Sequence, residues 1–267
     1  MSFKTITSVH NPRVKDAVRL RSARHRAKQG RILIDGAREL LQAMRGGVRL
    51  VEVFVCSQRC HSSESGAVLH RLETLAADVW DVPGEVFAKL AFGDRHDGVL
   101  AVAEAPALLL SELAPRGAGL IAVLAGVEKP GNVGAVLRSA DAAGVSAVIV
   151  ADPGTDLYNP NCIRASLGTV FTQPVCTSTT AETMAWLRDR KIRVFATRPD
   201  AERQYTEVDL GSSAAVVLGS ESAGLSDAWL ADDVQPIRLP MLGSADSLNV
   251  SAAAAVLFYH ALSQRKR

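Results

Sequence analysis

Asn132, Arg138, Glu221, Ser247 and Asn249 are polar residues of types that do chemistry, and they sit in or just beyond three glycine-bearing loops. The loops are Glu128-Lys129-Pro130-Gly131-Asn132-Val133-Gly134, Gly219-Ser220-Glu221-Ser222-Ala223-Gly224-Leu225, and the stretch from Leu239 to Ser251. Each follows an apolar run that reads as a strand. In an open parallel sheet, ligands bind beyond the carboxyl ends of strands, so loops from different strands can share one pocket. The structural alternative is that the glycines serve turns and the Asn and Ser residues cap helices. Three such loops together favour a site.

Several familiar chemistries are excluded. No Gly-Lys-Ser/Thr follows a glycine loop, so phosphate is not held in P-loop fashion. Gly117-Ala118-Gly119 precedes its strand, where the dinucleotide fingerprint follows one. Gly219 to Gly224 has the wrong spacing for a nucleophile elbow. Cys56, Cys60 and His61 lie close together, but no second ligand pair stands at finger spacing, and the histidines are scattered. No metal site is expected.

The elements that must position these loops alternate in type. Leu120–Ala125 reads as a strand, 133–143 as a helix, and 145–150 as the next strand, a parallel βαβ unit. A helix over 181–190, strands over 192–196, 214–218 and 236–239, and a helix over 248–263 follow. Apolar strands of this kind predict a parallel sheet covered on both faces. The first half reads as a smaller α/β unit: strands at 31–34, 51–55, 80–82 and 98–103, helices at 36–45, 68–77 and 83–90. Pro- and Gly-bearing sequence between Ala105 and Gly119, with a short helix over 108–113, reads as a connector. The expected domains are 1–109 and 110–267.

The chain has 267 residues, 48% apolar and 22% charged, which is the balance of a globular protein. No apolar run is long enough to span a membrane, and the four cysteines fit a reducing compartment, so a cytoplasmic location is expected. Net charge is only +2, but Lys4, Arg13, Lys15, Arg19, Arg21, Arg24, Arg26 and Lys28 stand against one acid, Asp16, and the chain ends Arg265-Lys266-Arg267. Such runs attract polyanions, nucleic acid first; a solvated helix face or a transit peptide are the other readings. Asn11-Pro12 looks like a helix cap followed by proline, an ordinary folded start.

Three segments resemble the motifs of the SpoU/TrmH family, the SPOUT class of RNA ribose 2'-O-methyltransferases. They are NVGAVLRSADAAG at 132–144, VLGSESAGL at 217–225 and IRLPMLGSADSLNVSAAAAV at 237–256. RASLGTVFTQPV at 164–175 is similar to the family's middle segment. The first half resembles the family's ribosomal-protein-like RNA-binding domain through Ile34-Asp35-Gly36 and His96-Asp97-Gly98-Val99, with Asp35 where the family more often has Glu.

The resemblance implies a knotted parallel-sheet domain with a trefoil at its C-terminal end, a homodimer, and S-adenosylmethionine as cofactor. It places the cofactor at Thr197, Leu218, Gly219, Leu239, Met241 and Leu248, and the catalytic residues at Asn132, Arg138, Glu221, Ser247 and Asn249. The family often gives the arginine the role of base. A guanidinium scarcely deprotonates, so a bidentate grip on the neighbouring phosphate is the better expectation for Arg138. Asn132 is expected to orient the ribose or Arg138, Glu221 to orient Arg138 or support its loop, and Ser247 or Asn249 to cap the last helix. Trp80, Phe87, Phe92 and His96 are candidates to stack bases, the first two being better explained by core packing. The implied activity is methylation of a ribose in RNA, ribosomal RNA ahead of transfer RNA. A non-catalytic RNA-binding protein on the same scaffold and a small-molecule α/β enzyme using a nucleotide cofactor are the competing readings.

Overall fold

The computed structural model describes residues 3–72, 77–92, 97–107, 109–117, 119–221 and 223–265. The chain forms two compact units, residues 1–107 with 156–172, and residues 108–155 with 173–267.

In the first unit, α1 (Pro12–Arg19) begins where the Asn11 side chain accepts from the Arg13 backbone N–H at 2.9 Å, with Pro12 at the first helical position. A second helix, α2 (Ala23–Gln29), ends at Gly30. The sheet holds β1 (Lys4–Thr5), β2 (Arg31–Asp35), β3 (Leu50–Val55), β4 (Asp78–Asp81) and β5 (Val99–Glu104), in the order β1-β4-β3-β5-β2. Among the described residues, only β5 runs antiparallel to its neighbours, β2 and β3. Helices α3 (Ala37–Arg45), α4 (Ser63–Leu72) and α5 (Gly84–Leu90) complete the α/β pattern. The helix expected over 68–77 starts earlier, because the Ser62 hydroxyl accepts from the Ser65 N–H and caps it there. Residues 73–76 of that expectation lie outside the described residues.

The basic arm is part of this core. Val14, Ala17 and Leu20 are buried against Phe54, Trp80, Phe87 and Leu100. Much of its charge is engaged internally. Lys4 pairs with Asp78, Arg13 with Glu52, Arg19 with Asp16, and Arg21 donates to the backbone carbonyls of Lys89, Leu90 and Ala91 at the end of α5. Trp80 is buried beneath Lys4 and Arg13, and Phe87 is fully buried, so neither is offered to a base. Phe92 is half-buried under Arg21, and His96 lies outside the described residues.

Residues 156–172, expected within the second domain, pack with the first unit. Buried Arg26 donates to the Asp156 carboxylate and to the carbonyls of Leu20 and Arg21. The short helix α6 (Pro160–Ala165), capped by Asn159, lies against β2.

The second unit is built on six parallel strands: β6 (Leu120–Ala125), β7 (Ala147–Ala151), β8 (Val175–Ser178), β9 (Arg193–Thr197), β10 (Ala214–Leu218) and β11 (Val234–Ile237). Their order is β11-β9-β10-β6-β7-β8. Every residue of β6, β7 and β10 is buried, as strands covered on both faces require. The helices are α7 (Pro130–Ala142), α8 (Thr180–Asp189) and α9 (Val250–Arg265). The chain moves outward from β6 through β7 to β8, and then returns to lay β9, β10 and β11 on the other side. The order therefore reverses between β6 and β10, the position at which open parallel sheets hold ligands. Of the short helix expected at 108–113, residue 108 lies outside the described residues, and Leu110–Glu112 form a 3-10 turn.

Candidate active site

The loops after β6, β9, β10 and β11 converge at the carboxyl edge of the second sheet. The loop after β10 closes on itself. Ser220 and Gly224 exchange backbone N–H···O bonds, both 3.1 Å, and the Ser220 hydroxyl accepts from the Ala223 N–H. Gly219 permits this closure: a Cβ there would lie 2.5 Å from the carbonyl carbon and oxygen of Gly224. Gly224 itself adopts a left-handed φ of 67°.

A cavity of about 210 Å³ opens under these loops. Thr197, Leu218, Gly219, Leu239, Met241 and Leu248 all line it. The leucines and Met241 give it apolar walls, and the strand ends bring backbone polar groups to its rim. The Thr197 hydroxyl donates to the Val217 carbonyl at 2.8 Å, so it ties β9 to β10. Glu221 and Asp246 add carboxylates to the lining, and Arg198 a guanidinium. Ser247 also lines the cavity and makes no hydrogen bond among the described residues.

Glu221 is the junction of the polar cluster. One carboxylate oxygen, Oε1, accepts from Asn132 Nδ2 at 2.8 Å and from Asn249 Nδ2 at 2.6 Å. The other, Oε2, takes the ammonium of Lys129. The Lys129 bond holds the Glu221 carboxyl below the usual carboxylate range, helped by the Asn132 amide and the Val250 backbone N–H. The same bond raises Lys129 above its ordinary value. A smaller cavity of about 70 Å³ lies on this side, lined by Val127, Glu128, Lys129, Asn132, Ser220 and Glu221.

Asn249 has two functions. Its Oδ1 accepts from the Ser251 N–H at 3.0 Å and from the Ser251 hydroxyl at 2.6 Å, which caps α9. Its amide turns the other way, to Glu221 and, at 3.4 Å, to Asn132 Oδ1. The helix expected from Leu248 therefore begins at Val250.

The structure thus brings Asn132, Glu221 and Asn249 together and leaves Arg138 apart from them. Arg138 is exposed on α7 and makes no hydrogen bond or ion pair among the described residues. The expectation that Glu221 or Asn132 orients Arg138 is corrected. Both are engaged with each other and with Asn249, and the cation on Glu221 is Lys129. Lys129 was missed as a site residue, although it stands three positions before Asn132 in the first loop. Ser251 and Asp246 were missed in the same way.

An α/β unit with a parallel sheet, a glycine-bearing cavity at its switch point and an amide–carboxylate cluster beside it define a ligand-binding enzyme scaffold. The model of the SpoU rRNA Methylase family matches residues 119–259, and that of the MRM3-like substrate binding domain matches residues 11–101. The chain belongs to the SpoU rRNA methylase family. It is 37% identical over 220 residues to the 23S rRNA (guanosine-2'-O-)-methyltransferase RlmB of Bordetella pertussis, covering 80% of this chain and 89% of that protein. A crystal structure of an RNA 2'-O ribose methyltransferase superposes with a TM-score of 0.86 at 42% identity, covering 98% of this chain and all of that one, 100%. The SpoU methyltransferase AviRb from Streptomyces viridochromogenes, in complex with the cofactor AdoMet, gives a TM-score of 0.86 at 29% identity, covering 96% of this chain and 99% of that chain.

Proposed function

We propose that this protein methylates the 2'-hydroxyl of a ribose in ribosomal RNA, with S-adenosylmethionine as donor. The observation that carries the proposal is the Asn132–Glu221–Asn249 junction, set beside an apolar cavity in a chain of the SpoU rRNA methylase family.

The cavity fits the cofactor's chemistry. Apolar walls from Leu218, Leu239, Met241 and Leu248 suit an adenine, and the carboxylates of Glu221 and Asp246 favour a cationic ligand. When bound, S-adenosylmethionine supplies a methyl group on a sulfonium, open to in-line attack. The chain's own residues must place the acceptor. Asn132 keeps one amide N–H beyond its bond to Glu221, available to a ribose hydroxyl. Arg138, exposed and unpartnered among the described residues, is available to grip a phosphate through its two-pronged guanidinium. Ser247 keeps its hydroxyl free on the cavity side.

The first unit is proposed as the RNA-binding domain and the second as the methyltransferase domain. Lys15, Arg24 and Lys28 are exposed and carry no partner among the described residues, so they remain for phosphates while the other basic side chains of the arm are engaged within the unit. We further propose a trefoil knot formed by the chain after β10, and a homodimer. An exposed stripe on α9, Ala252, Val256 and Tyr259, together with exposed Leu242 and Leu248, supports an apolar contact with a second copy. Among the described residues no helix is long and apolar enough to cross a membrane.

The test is incubation with methyl-labelled S-adenosylmethionine and, separately, 23S ribosomal RNA, intact ribosomal subunits and bulk transfer RNA. Label should enter ribosomal RNA at a nucleotide that then resists alkaline cleavage. Label confined to transfer RNA, or at an alkali-sensitive nucleotide, would overturn the proposal.

A further inference from the structure

Glu221 poses an electrostatic difficulty. A site that receives RNA has an ionised carboxylate at its centre, next to the place where phosphates must come. Among the described residues, the other charged groups that line the two cavities it borders are Lys129 and Glu128 from the loop before α7, Arg198 after β9, and Asp246 in the loop before α9. Of these, Lys129 alone is bonded to Glu221 among the described residues, and it occupies the oxygen that the asparagines do not use. Lys129 lies immediately before Pro130, the first residue of α7, so its backbone is fixed by the helix start.

We infer that Lys129 is a positioning residue of the acceptor site. Its ammonium anchors and neutralises Glu221, so that Glu221 holds Asn132 and Asn249 without repelling the incoming RNA. This inference rests on the proposed methylation of RNA. Lysine suits the task because its point charge reaches one oxygen and leaves the other to the two amides. A direct phosphate contact by Lys129 is the competing role, and the two are separable because the first acts only through Glu221.

The experiment compares K129M, K129R, E221Q and the double variant K129M/E221Q. Each is assayed for methyl transfer to 23S ribosomal RNA and for binding of that RNA without cofactor. Thermal unfolding checks that each variant folds. K129M should raise KM for RNA about fivefold, the scale of an exposed ion pair, with a smaller fall in kcat. K129R should restore only part of the loss, because it keeps the charge while its fork competes for the oxygen that the amides use. Adding K129M to E221Q should change RNA binding no further, since the charge to be neutralised has gone. In K129M the acidic limb of kcat/KM should move to higher pH, because the Glu221 carboxyl loses the cation that keeps it ionised. A loss that persists in full on the E221Q background, with the salt dependence of binding reduced by about one phosphate contact, would overturn the inference in favour of direct contact. Unchanged RNA binding and KM in K129M would overturn it as well. If the wild-type protein methylates no RNA, the functional proposal has failed. The binding comparison still decides the role of Lys129.

Discussion

Asn132 and Asn249, 117 positions apart in the chain, donate their side-chain amides to the same oxygen of Glu221. One stands in the first turn of α7 and the other caps α9, while Glu221 sits in the loop after β10. The shared oxygen ties three loops of the carboxyl edge into one unit. Each asparagine also has its amide orientation set by that bond, since only the NH₂ end can face a carboxylate. Preorganisation of this kind lets a site hold a substrate hydroxyl without reorganising when it arrives.

Arg138 is the test of division of labour. It touches none of the junction and is free toward solvent, so its loss should leave the cavity intact. Arg138→Ala is expected to lower methyl transfer at least about a hundredfold, the scale of a lost positioning or charge-stabilising group. S-adenosylmethionine affinity by calorimetry should stay near wild type. Arg138→Lys should recover only part of the rate, because lysine keeps the charge and loses the fork. Equal loss of cofactor affinity and turnover would remove Arg138 from the acceptor side.

Asn249 joins stability to chemistry, and two substitutions can separate them. Asn249→Ala removes the cap of α9 and should cost about 1 kcal/mol. Asn249→Ser keeps a capping oxygen for the Ser251 N–H but is too short to bridge to Glu221. The serine variant should unfold close to the wild-type temperature while losing as much methyl transfer as the alanine variant. Calorimetric unfolding alongside activity reads both. If activity simply follows stability across the pair, the bridge to Glu221 has no role of its own.

Gly219 should be intolerant of even one methyl group. The added Cβ would stand 2.5 Å from the Gly224 backbone and 2.9 Å from the Leu225 nitrogen, and backbone atoms cannot rotate away. Gly219→Ala must open the loop that forms one wall of the cavity. Cofactor affinity is expected to fall more than about tenfold, with little change in RNA binding, which depends on other surfaces. Wild-type cofactor affinity in this variant would show that the loop closure does not shape the cavity.

Much of the second unit was legible because its signals are local. Leu120–Ala125 and Ala214–Leu218 are unbroken apolar runs bounded by glycine or polar residues, and both strands occur where expected. All six expected cofactor residues line one cavity: Thr197, Leu218, Gly219, Leu239 and Met241 stand at or soon after a strand's carboxyl end, and Leu248 just before α9. What was not legible depends on pairing at a distance. Nothing near Glu221 in sequence says that Lys129, 92 positions away, holds it in place of Arg138. Residues 156–172 interrupt the second sheet in sequence but join the first unit, through the buried charge of Arg26 on Asp156. Asn159-Pro160 repeats the Asn11-Pro12 signal and could have located α6. Strand β8, Val175-Cys176-Thr177-Ser178, is too short and polar for periodicity to detect.

Asp35 yields a prediction about stability with a definite sign. It lies at the end of β2, accepts from the Phe92 backbone N–H, and lines a small pocket with Leu33, Pro160, Ile163 and Arg164. Burial pushes its carboxyl up to about 6, with Glu39 and Asp97 adding like charge and with the Phe92 bond and Arg164 opposing. The unfolded chain releases this proton near the ordinary value of 3.8. Between those two values the folded state binds more proton than the unfolded state, so this group's contribution falls as pH rises and is constant above about 6. Asp35→Asn keeps an oxygen for the Phe92 N–H and removes the titration. The variant should match wild-type stability near pH 4, exceed it increasingly up to about pH 6 and level off above that, by at most about 3 kcal/mol on the linkage relation. Denaturant unfolding of both proteins across that range measures the difference. A difference that stays flat with pH would mean that Asp35 is ionised in the folded protein throughout, with Arg164 and the Phe92 N–H outweighing the cost of burial.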